Sequence, residues 1–181
     1  TETVYYSDRY NDSLFTGASA GTLAVGSEVT GLKTFRDELI VFSQRSISKL
    51  ININSSSTIA IQDVTRNIGC LDGFSIQEIG GDLVFLAPDG IRTVAATARI
   101  DDIELSSISH KILPVISDLV NSLNSYDVSS AVIRTQNQYR LFYCTSTTSK
   151  LGQKGIVGTF KINAQGIPVW EWSELQGIEM C

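Results

Sequence analysis

The chain has 181 residues, 43% of them hydrophobic and 18% charged, a balance that supports a packed core and excludes a disordered chain. Its net charge is −5 and its pI about 4.8, with Lys and Arg scattered singly, which disfavours a surface that grips a phosphate backbone. No apolar run approaches the ~20 residues that cross a bilayer, so no membrane insertion is expected.

In chain order, Thr1–Tyr6 carries no initiator Met, basic region or apolar run and is not a signal peptide. It reads as part of a processed or excerpted segment. Tyr5-Tyr6 and Leu23-Ala24-Val25 predict an N-terminal β fragment. Strands follow at Gly31–Phe35, Glu38–Phe42, Ser46–Leu50 and Thr58–Gln62. A second set is predicted at Phe74–Ile79, Asp82–Leu86 and Ile91–Val94, with a more irregular fourth strand within Thr97–Ile103. Gly80-Gly81 is the strongest two-residue hairpin signal, and Ala87-Pro88-Asp89-Gly90 is turn chemistry. Asp82 to Leu86 is a continuous apolar run, as expected of a strand covered on both faces. Next, Ile112, Val115, Ile116, Leu119, Val120 and Leu123 recur at helical spacing, and Pro114 suits a first turn, which predicts one amphipathic helix over Pro114–Asn124. A third set of strands is predicted at Ser130–Thr135, Gln138–Ser146, Gly155–Ile162 and Val169–Ser173.

These sets repeat. Glu38-Leu39-Ile40-Val41-Phe42 falls on Asp82-Leu83-Val84-Phe85-Leu86, and Ile47 falls on Ile91, a shift of 44 residues. The same shift carries Val64–Ile68 onto Ile108–Ile112. The third copy lies 57 residues after the second, and the additional 13 fall around the predicted helix. A period of this length with strands inside is a propeller-blade signature. The expected fold is therefore all-β, a single domain or segment over 1–181 built from four-stranded antiparallel blades at about 29–68, 74–112 and 128–178. The helix packs on these blades or serves as a docking device, with Val115, Ile116, Leu119, Val120 and Leu123 as its candidate interface.

Chemistry is sparse. The three cysteines, Cys70, Cys144 and Cys181, have no CxxC spacing and read as thiols in a reducing compartment. With His110 as the only histidine, neither a zinc site nor a Ser/His/Asp relay is expected, and His110 reads as an exposed polar residue. Asp101, Asp102 and Glu104 are the densest carboxylates, yet they lack the spacing of a Ca²⁺ loop and read as a solvated loop. No phosphate-binding glycine pattern is present, no catalytic residue is assigned, and no cofactor is expected. Tyr139 and Tyr143 share a strand face and should be buried. Trp170 and Trp172 also share one, and read first as a core or blade-edge pair and second as a sugar-stacking platform. Asn11-Asp12-Ser13 and Asn54-Ser55-Ser56 match the glycosylation sequon, without a secretory context to use it.

The ordered phrases Tyr5-Tyr6-Ser7-Asp8, Thr30 to Leu50, Ile68-Gly69-Cys70, Gly80 to Arg92 and Ile108 to Ile112 resemble bacteriophage tail proteins. The likeness runs from about Tyr5 to Ile116 and is similar to the hub, nozzle and DNA-stabilisation proteins of short-tailed phages, which are longer chains. It implies a non-enzymatic virion component, assembled in the host cytoplasm as a ring homo-oligomer with other tail proteins. DNA would pass through an acidic channel without being held. Two other readings compete with it. A carbohydrate-binding propeller would use Trp170 and Trp172, and a propeller glycoside hydrolase would need two facing carboxylates.

Overall fold

A computed structural model describes residues 1–55, 57–95, 107–123, 128–144 and 153–178. The described chain is mostly β, with antiparallel sheets of two, four, three and four strands and one α-helix. It forms two compact units, Thr1–Gly73 and Phe74–Cys181.

In the first unit, β1 (Thr3–Tyr6) pairs with β2 (Gly21–Ala24). The next four strands, β3 (Val29–Phe35), β4 (Glu38–Ser43), β5 (Ile47–Ile51) and β6 (Ala60–Thr65), pair strictly in sequence order. The two-residue turn Arg36-Asp37 and the three-residue turn 44–46 make β3, β4 and β5 antiparallel neighbours. The first three strands lie within two residues of their predicted positions. The fourth begins at Ala60 rather than Thr58, because Asn52 takes φ 57 and its side chain donates to the Thr58 carbonyl at 3.2 Å, holding the preceding residues in a loop. Val4, Val41 and Leu50 form a buried cluster with Leu23, Val25, Val29, Leu39, Ile59 and Ile61, so the β1–β2 hairpin is fastened to one face of the four-stranded sheet. Fully burying an aliphatic side chain of this size contributes about 1.5–3 kcal/mol.

The second unit opens with a 3-10 turn, Gly73–Ser75, at its boundary, followed by β7 (Gln77–Ile79), β8 (Asp82–Ala87) and β9 (Gly90–Thr93). The strand expected from Phe74 is thus shortened to its last three residues. Ser75 is buried with its hydroxyl accepting from the Leu86 amide at 3.1 Å, which ties the turn across the sheet. All of Leu83 to Ala87 is 0% exposed, as the unbroken apolar run predicted. The fourth strand expected within Thr97–Ile103 lies outside the described residues. The chain returns antiparallel to β9 at Ser107, bridged to Arg92, with Ile108 donating to the Ile91 carbonyl at 3.0 Å.

The helix follows a 3-10 turn at His110–Ile112. It is α1, Leu113–Ser122, with Pro114 in its first turn, and it packs against β9. The last sheet is β10 (Val128–Ile133), β11 (Gln138–Cys144), β12 (Gln153–Ile162) and β13 (Pro168–Ile178), again in sequence order. Tyr139 and Tyr143 are buried on one face of β11, as their even spacing predicted, with Leu141 buried between them. This sheet meets β7 through polar ties: Tyr139 donates to the Ser75 carbonyl at 2.8 Å, and Gln77 Nε2 donates to the Ser130 carbonyl at 3.1 Å.

The 44-residue shift maps strand onto strand. It carries β4 onto β8 end to end, and it carries the turn Arg36-Asp37 onto Gly80-Gly81. Both turns have two consecutive residues at positive φ, 49 and 62 in the first and 64 and 77 in the second. That is the hairpin geometry whose twist matches the strands.

Candidate functional site

The residues singled out from the sequence sit in different settings. On α1, Ile116 and Leu119 are each 1% exposed and belong to the core of the second unit. Val115, Val120 and Leu123 are half-buried. A partner reaching this helix would meet those three residues and not Ile116 or Leu119. His110 is exposed, as expected, at the start of the 3-10 turn before α1. Asp101, Asp102 and Glu104 lie outside the described residues, and so does Cys181. Cys70 is a buried thiol donating to the Asp72 carbonyl at 3.1 Å, and Cys144 is a half-buried thiol. Among the described residues, no group of three or more His, Cys, Asp or Glu side chains is placed to hold a metal ion.

Trp170 and Trp172 do share a face of β13. Their rings stack at 5.5 Å with 18° between planes, and Phe160, paired with Trp170 across β12, meets it edge-on at 5.5 Å. Glycines make room for this row. Gly158 is the cross-strand partner of Trp172, and a Cβ there would lie 2.6 Å from the indole, so the ring rests directly on the glycine backbone. Trp172 Nε1 then donates to the Ile108 carbonyl at 2.9 Å, fixing the ring from its other end. Phe160 lies against the Gly80 turn, where a Cβ would sit 3.4 Å from its ring.

Three clefts of the second unit share lining residues. The first, about 300 Å³, is lined by Ile79, Gly80, Asp82, Thr93, Ile108, Phe160 and Trp170. Asp82 is held there by its carboxylate accepting from the Ala95 amide at 3.1 and 3.2 Å. The second, about 270 Å³, shares Ile108 and Trp170 with the first and adds His110, Lys111 and Val169. The third, about 270 Å³, shares His110 and adds Asp89, Arg92, Ser107 and Leu113.

The third cleft contains Ser, His and Asp together, which the sequence did not bring to notice. Its hydrogen bonds run elsewhere. Asp89 is engaged by the guanidinium of Arg92, which is 0% exposed, with Nε donating at 2.8 Å. The Ser107 hydroxyl lies 3.3 Å from that of Ser109, which itself accepts from the Ile91 amide at 2.9 Å. Nucleophilic catalysis needs serine bonded to the base and the base oriented by a third group. Among the described residues, none of these bonds reaches His110.

Shifted carboxylates are structural. Backbone amides of Ser19 and Tyr10 hold Asp8 below the usual carboxylate range. Arg66 does the same for Asp63, and Lys161 for Glu171. Burial pushes the Tyr143 phenol up, helped by Glu174 and Asp118. No protein-family model matches the chain, and no curated protein matches it.

Proposed function

We propose that the chain is a non-enzymatic structural component of a phage tail of the hub or nozzle type, built from propeller-like blades and assembled around a DNA channel with copies of itself and other tail proteins. The observation that carries this reading is the amount of apolar surface left uncovered in a well-packed β protein. Tyr10 is 88% exposed, Phe74 72%, Ile162 67%, Tyr5 61%, Ile167 56% and Phe15 54%. Where such residues form a contiguous patch, they mark a surface meant for a partner. The eleven residues of β13 also pair on one side only among the described strands, and a long open edge is a template for another chain. The repeated hairpins β4–β5 and β8–β9 support a blade-like reading, and the resemblance of the quoted phrases to phage tail proteins supports the setting. A net charge of −5 suits a wall along which DNA slides without adhering.

Light scattering across a concentration series tests assembly. The native chain should weigh in as a defined multimer, and Tyr10→Ser with Phe15→Ser should lower its mass toward the monomer. A monomer at every concentration would remove the reading.

A further inference from the structure

We propose that the second unit carries an extended site for an unbranched oligosaccharide, running through the three clefts on either side of Trp170. This is independent of the structural role proposed above. The clefts adjoin through shared residues: Ile108 and Trp170 line both the first and the second, and His110 lines both the second and the third. Together they fall in the ~300–1,000 Å³ range of ligand sites. Three adjoining clefts suit a chain of rings better than a single ring.

Their chemistry alternates as a pyranose does. A sugar ring has an apolar C–H face and a rim of hydroxyls, so it needs an aromatic plane beside donors and acceptors. Trp170 supplies the plane to two clefts, with Phe160 in the first. Asp82 and Thr93 line the first cleft with it, and His110 and Lys111 the second. The platform is rigid before any ligand arrives. Trp170 stacks on Trp172, which Gly158 and the Ile108 carbonyl hold in place. A preorganised platform loses little entropy on binding.

Other polymers fit less well. Asp82 lines the first cleft of a net-acidic chain, and the cation of the third, Arg92, is already paired with Asp89, which leaves a phosphate little to hold. Each cleft also carries polar side chains, which an apolar peptide would leave unpaired.

The test is a defined array of neutral and acidic hexasaccharides that includes cellohexaose, maltohexaose and chitohexaose, followed by calorimetry on whichever binds. The hexamer should bind about tenfold or more tighter than its monosaccharide. Trp170→Ala should weaken the hexamer by about tenfold, while Trp170→Tyr keeps most of the affinity. Should Trp170→Ala misfold, the exposed Lys111→Ala carries the test and should still weaken the hexamer measurably. Failure of every array member to bind would overturn the proposal. So would a monosaccharide as tight as its hexamer, or binding unchanged in both Trp170→Ala and Lys111→Ala.

Discussion

Replacing Gly158 with alanine sets two known effects against each other. Alanine in a strand is favoured over glycine by roughly 0.5–1 kcal/mol, because glycine loses more backbone freedom on folding. Gly158 lies in β12, and its φ is not among the positive ones, so the backbone itself accepts alanine. The added methyl, however, would sit 2.6, 2.7 and 3.0 Å from three carbons of the Trp172 ring. That ring cannot swing away without cost, because its Nε1 is bonded to the Ile108 carbonyl at 2.9 Å and its face stacks on Trp170. Overpacking costs about 1–3 kcal/mol and loss of a hydrogen bond about 0.5–1.5. The collision therefore outweighs the backbone gain, and Gly158→Ala should lose about 1–2 kcal/mol net. Urea unfolding followed by circular dichroism measures the loss. The coupled signal of the two stacked indoles should fall in the same variant. A variant as stable as the parent, or one whose paired-indole signal is unchanged, would refute the reasoning.

Four further outcomes follow from the same geometry. Ser43 is 0% exposed with a hydroxyl that finds no partner among the described residues, and its repeat equivalent is Ala87, so Ser43→Ala should stabilise by about 1 kcal/mol in urea unfolding. Gly90 has φ 147, and a Cβ there would meet the Ser107 and Ser109 hydroxyls at 2.6 and 2.8 Å, so Gly90→Ala should cost roughly 2–4 kcal/mol by the same assay. Asp89→Asn removes the charge facing buried Arg92 and should cost about 1.5–3 kcal/mol, with little change in a parallel Arg66→Gln control at the surface. In pH-dependent melting, the raised Tyr143 favours the neutral phenol in the fold, so its contribution is present below the ordinary value of 10.0 and is lost as pH rises through its folded value. The depressed Asp8, Asp63 and Glu171 act in the opposite direction, stabilising above the ordinary carboxylate range and losing that contribution as pH falls through it.

What the sequence revealed was local. Gly80-Gly81 announced its hairpin because both residues need positive φ, and Asp82–Leu86 announced a covered strand by its unbroken apolar run, though Ala87, read as turn, is the strand's last buried residue. Helical spacing placed α1 within a residue of its start. The equivalent turn at Arg36-Asp37 carries no glycine, so its positive φ values could be seen only through the 44-residue repeat. Arg92 was hidden for a different reason. Its charge suggests a surface position, yet it is 0% exposed, because Asp89 three residues before it supplies the partner that burial requires. The clefts were not legible at all. Trp170 and Trp172 could be placed on one face by counting, but their neighbours Asp82, Thr93, Ile108 and His110 come from distant parts of the chain. Pairings of that sequence separation are set by tertiary packing, which no local pattern encodes.

The assembly claim is tested most directly by negative-stain imaging of the native chain at the concentration where its mass is stable. The account predicts class averages showing a ring with an open axial channel. Single compact particles of monomer size, without a channel, would contradict it.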